Sequence, residues 1–257
     1  HRGMDTVGAI AGPCLALLFL LYYPGRYQLL FFLAFIPGIL AIGLTVFIRE
    51  KKAKPKATSS RPPFFSFVRY FKEAPPAYRK LVAGLVGFAL INSSDVFLLL
   101  KCSEILDNDT AVIGIYIFYN FVYALAAYPA GMLADRIGIR RVFISGLFLF
   151  AIAYGIVGFG TTLPWFLLAF VCYGLYAAAT EGLAKAWISN IATREQTATA
   201  IGSFASLQSL AVLIASSFTG LVWHQFGSAP AIMVSAGGAL VTACYFMFLK
   251  MDNESSS

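Results

Sequence analysis

Eight apolar runs of about 20 residues each restrict the fold of this chain more than any other feature. An α-helix needs about 20 apolar residues to cross a hydrocarbon core of about 30 Å. We therefore predict an all-α membrane protein with eight transmembrane helices. The predicted spans are residues 6–23, 28–48, 81–100, 111–133, 142–160, 164–190, 198–222 and 229–249.

The low content of charged residues indicates a chain embedded in a lipid bilayer. Only 12% of the residues are charged and 59% are hydrophobic, whereas about 25% of the residues in an ordinary soluble domain are charged. A soluble protein of this size could not hide that much apolar surface. The lipid bilayer is therefore the expected solvent.

The 19 lysines and arginines are distributed unequally between the two sides of the predicted spans. Seventeen fall on one side, including the ten between Arg49 and Lys80, and only Arg26 and Lys101 fall on the other. Basic loops remain in the cytoplasm. We therefore predict a multi-pass protein of the inner (plasma) membrane with both chain ends cytoplasmic. Because topology accounts for every basic residue, we predict no nucleic-acid partner.

One short polar stretch, Gly131-Met132-Leu133-Ala134-Asp135-Arg136-Ile137-Gly138-Ile139-Arg140-Arg141, joins two of the predicted spans. Glycines permit a tight turn and a close backbone approach. The stretch resembles the loop signature of the major facilitator superfamily, G-x-L-A-D-R-x-G-R-R, with Ile139 in place of its first arginine. The resemblance implies a secondary transporter of the helical-bundle type, in which this signature loop is a gating element.

A second motif, Gly8-Ala9-Ile10-Ala11-Gly12-Pro13, lies in the first predicted span. It resembles part of the antiporter motif of drug–proton exchangers in the same superfamily, although Ala16 and Leu17 replace its later glycines. Gly8 and Gly12 also permit close helix packing in the small-xxx-small manner, and Pro13 predicts a bend. Helix packing and an antiporter role both remain open.

The resemblance also implies a domain organisation. Residues 1–48 correspond to the last two helices of the N-terminal half, residues 49–80 to a basic cytoplasmic linker, and residues 81–250 to the six-helix C-terminal half. We expect about four earlier helices of the intact protein to be absent from this sequence, and residues 251–257 to be a disordered tail. Within the linker, the spacing of Phe64, Phe67, Val68 and Phe71 predicts an amphipathic helix on the membrane surface. A helix that binds a partner protein is the alternative.

Asp95 lies within the third predicted span, after fourteen uncharged residues. A carboxylate at that depth costs about 2.5–3.5 kcal/mol on insertion scales, so it normally faces a protein interior or a wet cavity. Asn92, three residues earlier, would share its helix face and could bond to it. We predict proton coupling or substrate recognition at this position. A structural acid bonded to a neighbouring helix is the alternative.

Glu181 and Lys185 are spaced i, i+4 in the order that favours an intrahelical ion pair. A buried pair could open on binding a proton or a solute, so Glu181 is a second candidate for proton coupling. The alternative is a pair that only stabilises the end of the helix.

Tyr116, Asn120 and Tyr123 share one face of the fourth predicted span, and Gln208 lies in the seventh. Aromatic rings with polar tips suit a cavity for amphipathic or aromatic solutes. We predict that these side chains line the substrate cavity. Hydrogen bonding between helices is the alternative.

The superfamily resemblance gives Asp135 a gating role, because the equivalent carboxylate clamps the start of a helix in the other half. It predicts that Asp135 lies near residues 2–6 at the start of the first span.

The sequence lacks the features of other functional classes. It has no nucleotide-binding loop, and its two histidines form no catalytic arrangement, so we predict a transporter and no enzyme. We expect no cofactor and no metal, and a monomer whose partners are lipid, protons and a small-molecule substrate. The predicted function is alternating-access, proton-coupled efflux of the multidrug type. The alternatives are proton-coupled uptake of a small organic solute and a membrane sensor or scaffold.

Overall fold

A computed structural model describes residues 2–47, 66–193 and 195–249, and within these ranges every regular element is an α-helix. The predicted linker before residue 66 and the predicted tail lie outside the described residues. The helices, in chain order, are α1 Arg2–Tyr22, α2 Tyr27–Phe47, α3 Ser66–Glu73, α4 Pro76–Ala89, α5 Val96–Leu106, α6 Asp109–Ile137, α7 Ile139–Phe159, α8 Leu163–Ile191, α9 Thr197–Phe226 and α10 Ser228–Phe248.

Six of these helices, α2 and α6–α10, are long and apolar enough to cross a membrane. They coincide with six of the eight predicted spans, so hydropathy alone located them correctly. Among the residues that the structure fully describes, helix α1 contains a shorter apolar part, Ala11–Tyr22. The chain is thus an all-α membrane bundle, as predicted.

The predicted span at residues 81–100 is wrong as a continuous helix, because α4 ends at Ala89 and α5 begins at Val96. The intervening Asn-Ser-Ser-Asp run explains the break. Short polar side chains bond to nearby backbone and compete with the helix. Here the Ser94 hydroxyl accepts from Val96 N at 3.4 Å, and Ser94 N donates to Ser216 Oγ of α9 at 3.2 Å. Two half-helix ends therefore meet inside the bundle.

Helices α7 and α8 form the centre of the bundle, and α6 and α10 pack on them. Aromatic side chains fill this core: Phe150 is fully buried, and its ring centroid lies 3.9 Å from that of Tyr154. Helix α1 packs against α6. The short helix α3 lies within the predicted linker, and the position of that helix on the membrane surface stays a prediction. It packs against α9, and the ring centroid of its Tyr70 lies 5.4 Å from that of Tyr78 on α4.

The bundle has two ends, which we name by their turns. At the signature-loop end, α6 and α7 are joined by Gly138 alone, whose φ of 95° is strained for residues with a side chain. This confirms the predicted glycine turn. At the opposite end, Lys101 donates to Ser228 Oγ at 2.9 Å and Trp223 donates to Glu104 at 3.1 Å. There Tyr27 of α2 also donates to Asp109 of α6.

Candidate functional site

A cavity of about 260 Å³, which we call the central cavity, lies between α4, α7, α8 and α9. It combines aromatic walls with a few polar groups, which is typical of sites for small organic molecules. Its lining residues are Leu85, Phe88, Ala89, Asn92, Phe143, Tyr173, Tyr176, Thr180, Glu181, Ala184, Lys185, Phe204 and Gln208.

Asn92 reaches the central cavity because the α4 helix ends before it. Its Nδ2 donates to the Tyr176 hydroxyl at 3.0 Å. Its Oδ1 is buried and has no hydrogen-bond partner in the part of the chain that the structure describes. A buried acceptor without a partner is costly unless a water or a ligand supplies a donor. The cavity therefore offers an unused acceptor to whatever enters it.

Glu181 and Lys185 both line the central cavity, one helical turn apart. The predicted ion pair is wrong: Lys185 attracts the carboxylate electrostatically, but within the described residues the two side chains form no ion pair within 4.0 Å. Instead, the Tyr123 hydroxyl of α6 hydrogen-bonds to Glu181. Both charges thus remain available to a solute.

Asp95 lies in a different place from Asn92. It lines a second cavity of about 280 Å³, which we call the Asp95 pocket, together with Val96, Leu99, Val112, Ile113 and Tyr116. The nearest donor to its carboxylate is the Ser94 hydroxyl, at 3.4 Å. The predicted shared face and hydrogen bond of Asn92 and Asp95 are therefore wrong. The cause is the helix break, which removes the i, i+3 relation.

The three polar side chains predicted on one face of α6 have three separate surroundings. Tyr116 lines the Asp95 pocket and Tyr123 bonds to Glu181. Asn120 is buried and donates to the carbonyl of Tyr116, one turn back in its own helix, at 2.9 Å. Tyr116, Asn120 and Tyr123 are thus not among the residues that line the central cavity, and their predicted place in a substrate cavity stays a prediction. Gln208 lines the central cavity as predicted.

A layer of buried tyrosines that the sequence reasoning missed separates the two cavities. The ring centroids of Tyr154 and Tyr173 are 6.2 Å apart, and those of Tyr173 and Tyr176 are 5.4 Å apart. Tyr119 packs on Tyr173 at 5.1 Å. The sequence contains a signal for this layer, because Tyr173, Tyr176 and Thr180 recur at the i, i+3, i+7 spacing of one helix face.

Arg140 of the signature loop binds the end of the last helix. Its Nε donates to the carbonyl of Phe246 at 2.8 Å, and its Nη2 donates to that of Met247 at 2.6 Å. The last carbonyls of a helix lack partners within the helix and attract a cation. Arg140 therefore holds α7 and α10 together at the signature-loop end.

Several other signature-loop residues are more exposed or lack close neighbours. Asp135, Arg136 and Arg141 are exposed, and an ideal Cβ at Gly131 would meet none of the described atoms within 4 Å. The predicted close approach at Gly131 is therefore not seen. The predicted partners of Asp135, the side chains of residues 2–6, lie outside those that the structure describes. That contact stays a prediction, although α1 does pack on α6.

The antiporter-like residues lie on α1, and Pro13 is inside the helix. An ideal Cβ at Gly8 or at Gly12 would meet no described atom within 4 Å. The predicted close helix packing at these two glycines is thus not made by the part of the chain that the structure describes.

We expect Arg140→Ala to destabilise the protein by about 1–3 kcal/mol, because hydrogen bonds from a charged donor contribute about that much. Arg140→Lys should recover only part of the loss, since an ammonium cannot reproduce the forked guanidinium geometry. Thermal unfolding of the purified protein measures both. Arg141→Ala, a change at the exposed neighbouring arginine, is the matched control. An equal loss in the two alanine variants would contradict the assigned contact.

Comparison with known proteins agrees with this architecture. The model of the family described as Major Facilitator Superfamily matches residues 97–257. The uncharacterized MFS-type transporter MJ1317 of Methanocaldococcus jannaschii is 32% identical over 233 residues, covering 87% of this chain and 56% of that protein.

Two further relatives are similar over shorter stretches. A candidate niacin/nicotinamide transporter of Bacillus subtilis, NiaP, is 31% identical over 127 residues, covering 49% of this chain and 31% of that protein. A candidate galactarate/D-glucarate transporter of Escherichia coli, GudP, is 27% identical over 151 residues, covering 54% of this chain and 32% of that protein. The chain thus spans between a third and about half of the length of these relatives.

Proposed function

Because the chain belongs to the major facilitator superfamily, we propose that the intact protein is a secondary transporter of a small organic solute that couples solute movement to protons at Glu181. The observation that carries this proposal is the central cavity. It presents a carboxylate, an ammonium and two amides within aromatic walls. A membrane-embedded ionisable residue that faces a cavity is the usual mark of an ion or solute pathway.

The lining of the cavity favours a small polar or zwitterionic solute. Glu181 and Lys185 can bind opposite charges, and Asn92 Oδ1 can accept from a solute N–H or O–H. The rings of Phe88 and Tyr176, which pack edge to face at a centroid distance of 6.0 Å, supply aromatic surface to an apolar part of the solute. At about 260 Å³ the cavity favours a smaller and more polar solute than a multidrug exporter carries.

For orientation, we propose that the signature-loop end faces the cytoplasm and that the protein acts as a monomer in the inner membrane. The 17-to-2 distribution of basic residues supports this orientation. In this orientation the central cavity lies in the cytoplasmic half of the bundle, because its lining includes Glu181, Lys185 and Phe204, which are near the signature-loop end of α8 and α9. The Tyr27–Asp109 hydrogen bond lies at the opposite end, between α2 and α6. These features fit a state closed to the outside.

Efflux in exchange for protons is the direction that the G-x-x-x-G-P run of α1 supports. Proton-coupled uptake is the second candidate, and two observations favour it. Two relatives are candidate transporters of niacin or nicotinamide and of galactarate or D-glucarate, which are small polar compounds. The polar lining of the cavity suits compounds of that kind.

The test is transport by the full-length protein in proteoliposomes under an imposed pH gradient of either sign. The panel contains lipophilic cations, sugars and organic acids, with nicotinamide and galactarate included. We expect at least one small polar solute to move in a direction that reverses with the gradient. If no member of the panel responds to the gradient, or if only lipophilic cations do, the proposal is wrong.

The cavity assignment has its own matched pair of variants. Gln208→Ala removes an amide from the cavity, and Gln196→Ala removes one from the exposed turn before α9. Loss of one solute hydrogen bond of about 1 kcal/mol should weaken the apparent affinity roughly fivefold in Gln208→Ala only. Equal affinities in the two variants would place the solute elsewhere.

A further inference from the structure

The two cavities contain one carboxylate each and are divided by the tyrosine layer. Asp95 lies in the pocket nearer the opposite end, and Glu181 lies in the central cavity nearer the signature-loop end. Tyr154 and Tyr173 are almost fully buried between them. The linings of the two cavities share no residue among those that the structure describes, so a proton that moves from Asp95 to Glu181 has to pass these buried tyrosine side chains.

Three buried polar atoms next to the helix break lack the hydrogen bonds that their burial requires. They are Asn92 Oδ1, Ser93 Oγ and Tyr154 Oη. The Ser93 and Tyr154 hydroxyls neighbour each other, but neither completes a hydrogen bond of ordinary geometry with any described atom. Native proteins place such groups where an ordered water or a functional rearrangement satisfies them.

The titratable groups around each carboxylate come from several helices. Asp95 is within electrostatic range of Tyr119 on α6, Tyr154 on α7 and Tyr173 on α8. Glu181 interacts with Tyr123 and Tyr119 on α6, with Tyr176 and Lys185 on its own helix, and with Asp95 itself. Tyrosines of the layer thus lie within electrostatic range of both acids.

We propose that Ser93, Tyr154 and Tyr176, joined by ordered water held on Asn92 Oδ1, form a relay that passes protons between Asp95 and Glu181. The relay rests on the proposed function, since it supplies the coupling proton. Each oxygen accepts one proton and releases the one it carried. One proton therefore leaves the Asp95 carboxylic acid, one arrives at the Glu181 carboxylate, and no hydroxyl changes its net charge.

The incomplete Ser93–Tyr154 contact would prevent an uncoupled proton leak through the relay. A permanent chain from one cavity to the other would leak protons without moving solute. A gap that closes when one hydroxyl turns, or when a water enters, transfers protons only in some conformations. At the break between α4 and α5, Ser93 N donates to the carbonyl of Ile91 and Ser94 N donates to Ser216 Oγ. These two residues are therefore outside the helical hydrogen-bond pattern, so the backbone there can adjust.

The test uses protons alone, so it needs no identified solute. The full-length protein, reconstituted in liposomes on a solid-supported membrane, receives a sudden pH drop on the outer side, and the displaced charge is measured. Protons that bind only at Asp95 move a short way into the membrane. Protons that reach Glu181 cross the tyrosine layer and displace more charge. We expect Glu181→Gln, Tyr154→Phe and Ser93→Ala to lose this second component equally.

Tyr78→Phe is the matched control, because Tyr78 is equally buried but donates to the Ala200 carbonyl at 2.8 Å, away from the relay. Its charge displacement should equal that of the wild type. A wild-type signal in both Tyr154→Phe and Ser93→Ala, each verified as folded by size-exclusion chromatography, would overturn the relay. That result would leave solute transport intact, whereas failure of the proposed function would show as absent solute transport with the proton displacement retained.

Discussion

Glu181→Gln is expected to abolish solute accumulation against a gradient while leaving solute exchange in place. Glutamine keeps the size of the side chain and its bond to Tyr123 but cannot bind or release a proton. A gradient of about one pH unit can sustain roughly tenfold accumulation of a solute that is coupled to one proton. In Glu181→Gln the internal and external concentrations should become equal, as measured with radiolabelled solute in proteoliposomes.

The matched control for this experiment is Glu195→Gln, because Glu195 is an exposed carboxylate in the turn between α8 and α9. Its accumulation should equal that of the wild type. Exchange of labelled for unlabelled solute without a gradient separates loss of coupling from loss of binding. Full accumulation by Glu181→Gln would remove Glu181 from the coupling mechanism.

Gly174→Leu is expected to prevent assembly of the bundle. An ideal Cβ at Gly174 would lie 2.8 Å from Val122 Cγ1 and 3.2 Å from the backbone oxygen of Tyr119, both on α6. The backbone of α6 cannot yield as a flexible side chain could, so α6 and α8 must separate. Overpacking costs about 1–3 kcal/mol for extra methylenes in a core and more where the backbone is displaced. The yield of monodisperse protein and its thermal midpoint report the effect.

Gly155→Leu on α7 is the control, since an ideal Cβ there would meet no described atom within 4 Å. Both substitutions add the same side chain to a membrane helix, so differences in hydrophobicity and helix propensity cancel. Comparable yields and midpoints for the two variants would show that α6 and α8 do not approach closely at Gly174.

The long helices were predictable because apolar length is a local property of the sequence. Helices α2 and α6–α10 begin and end close to the predicted bounds. The Gly138 turn was predictable for a similar reason, since only a glycine there accommodates a positive φ between two adjacent spans. The signature resemblance then indicated the family without any knowledge of tertiary contacts.

The break after α4 could not be read from hydropathy, although its cause lies in the sequence. The apolar residues around Asn92 and Asp95 favour a continuous span, whereas their local bonds favour a turn. The serine of α9 that accepts from Ser94 N decides the competition. Because that partner lies 122 residues away in sequence, one-dimensional patterns could not identify it.

The central cavity was only partly predictable for the same reason. Asn92, Glu181 and Gln208 were identified as polar residues in apolar runs, and all three line the cavity. The partner of Glu181 was mistaken, because i, i+4 spacing favoured Lys185 and the fold brings Tyr123 from another helix. Tyr116 was expected to share one cavity with Asn120 and Tyr123, but it lines the Asp95 pocket, since spacing along one helix does not show which neighbouring helices form each cavity.

A density map of the full-length protein with its transported solute bound tests the central claim most directly. We predict density in the central cavity, in contact with Asn92, Tyr176, Glu181 and Gln208. The Asn92 Oδ1 atom should accept a hydrogen bond from the solute or from a water that the solute holds. Solute density in the Asp95 pocket, or in the apolar groove between Leu125, Pro129 and Leu149, with the central cavity holding only water, would contradict the account.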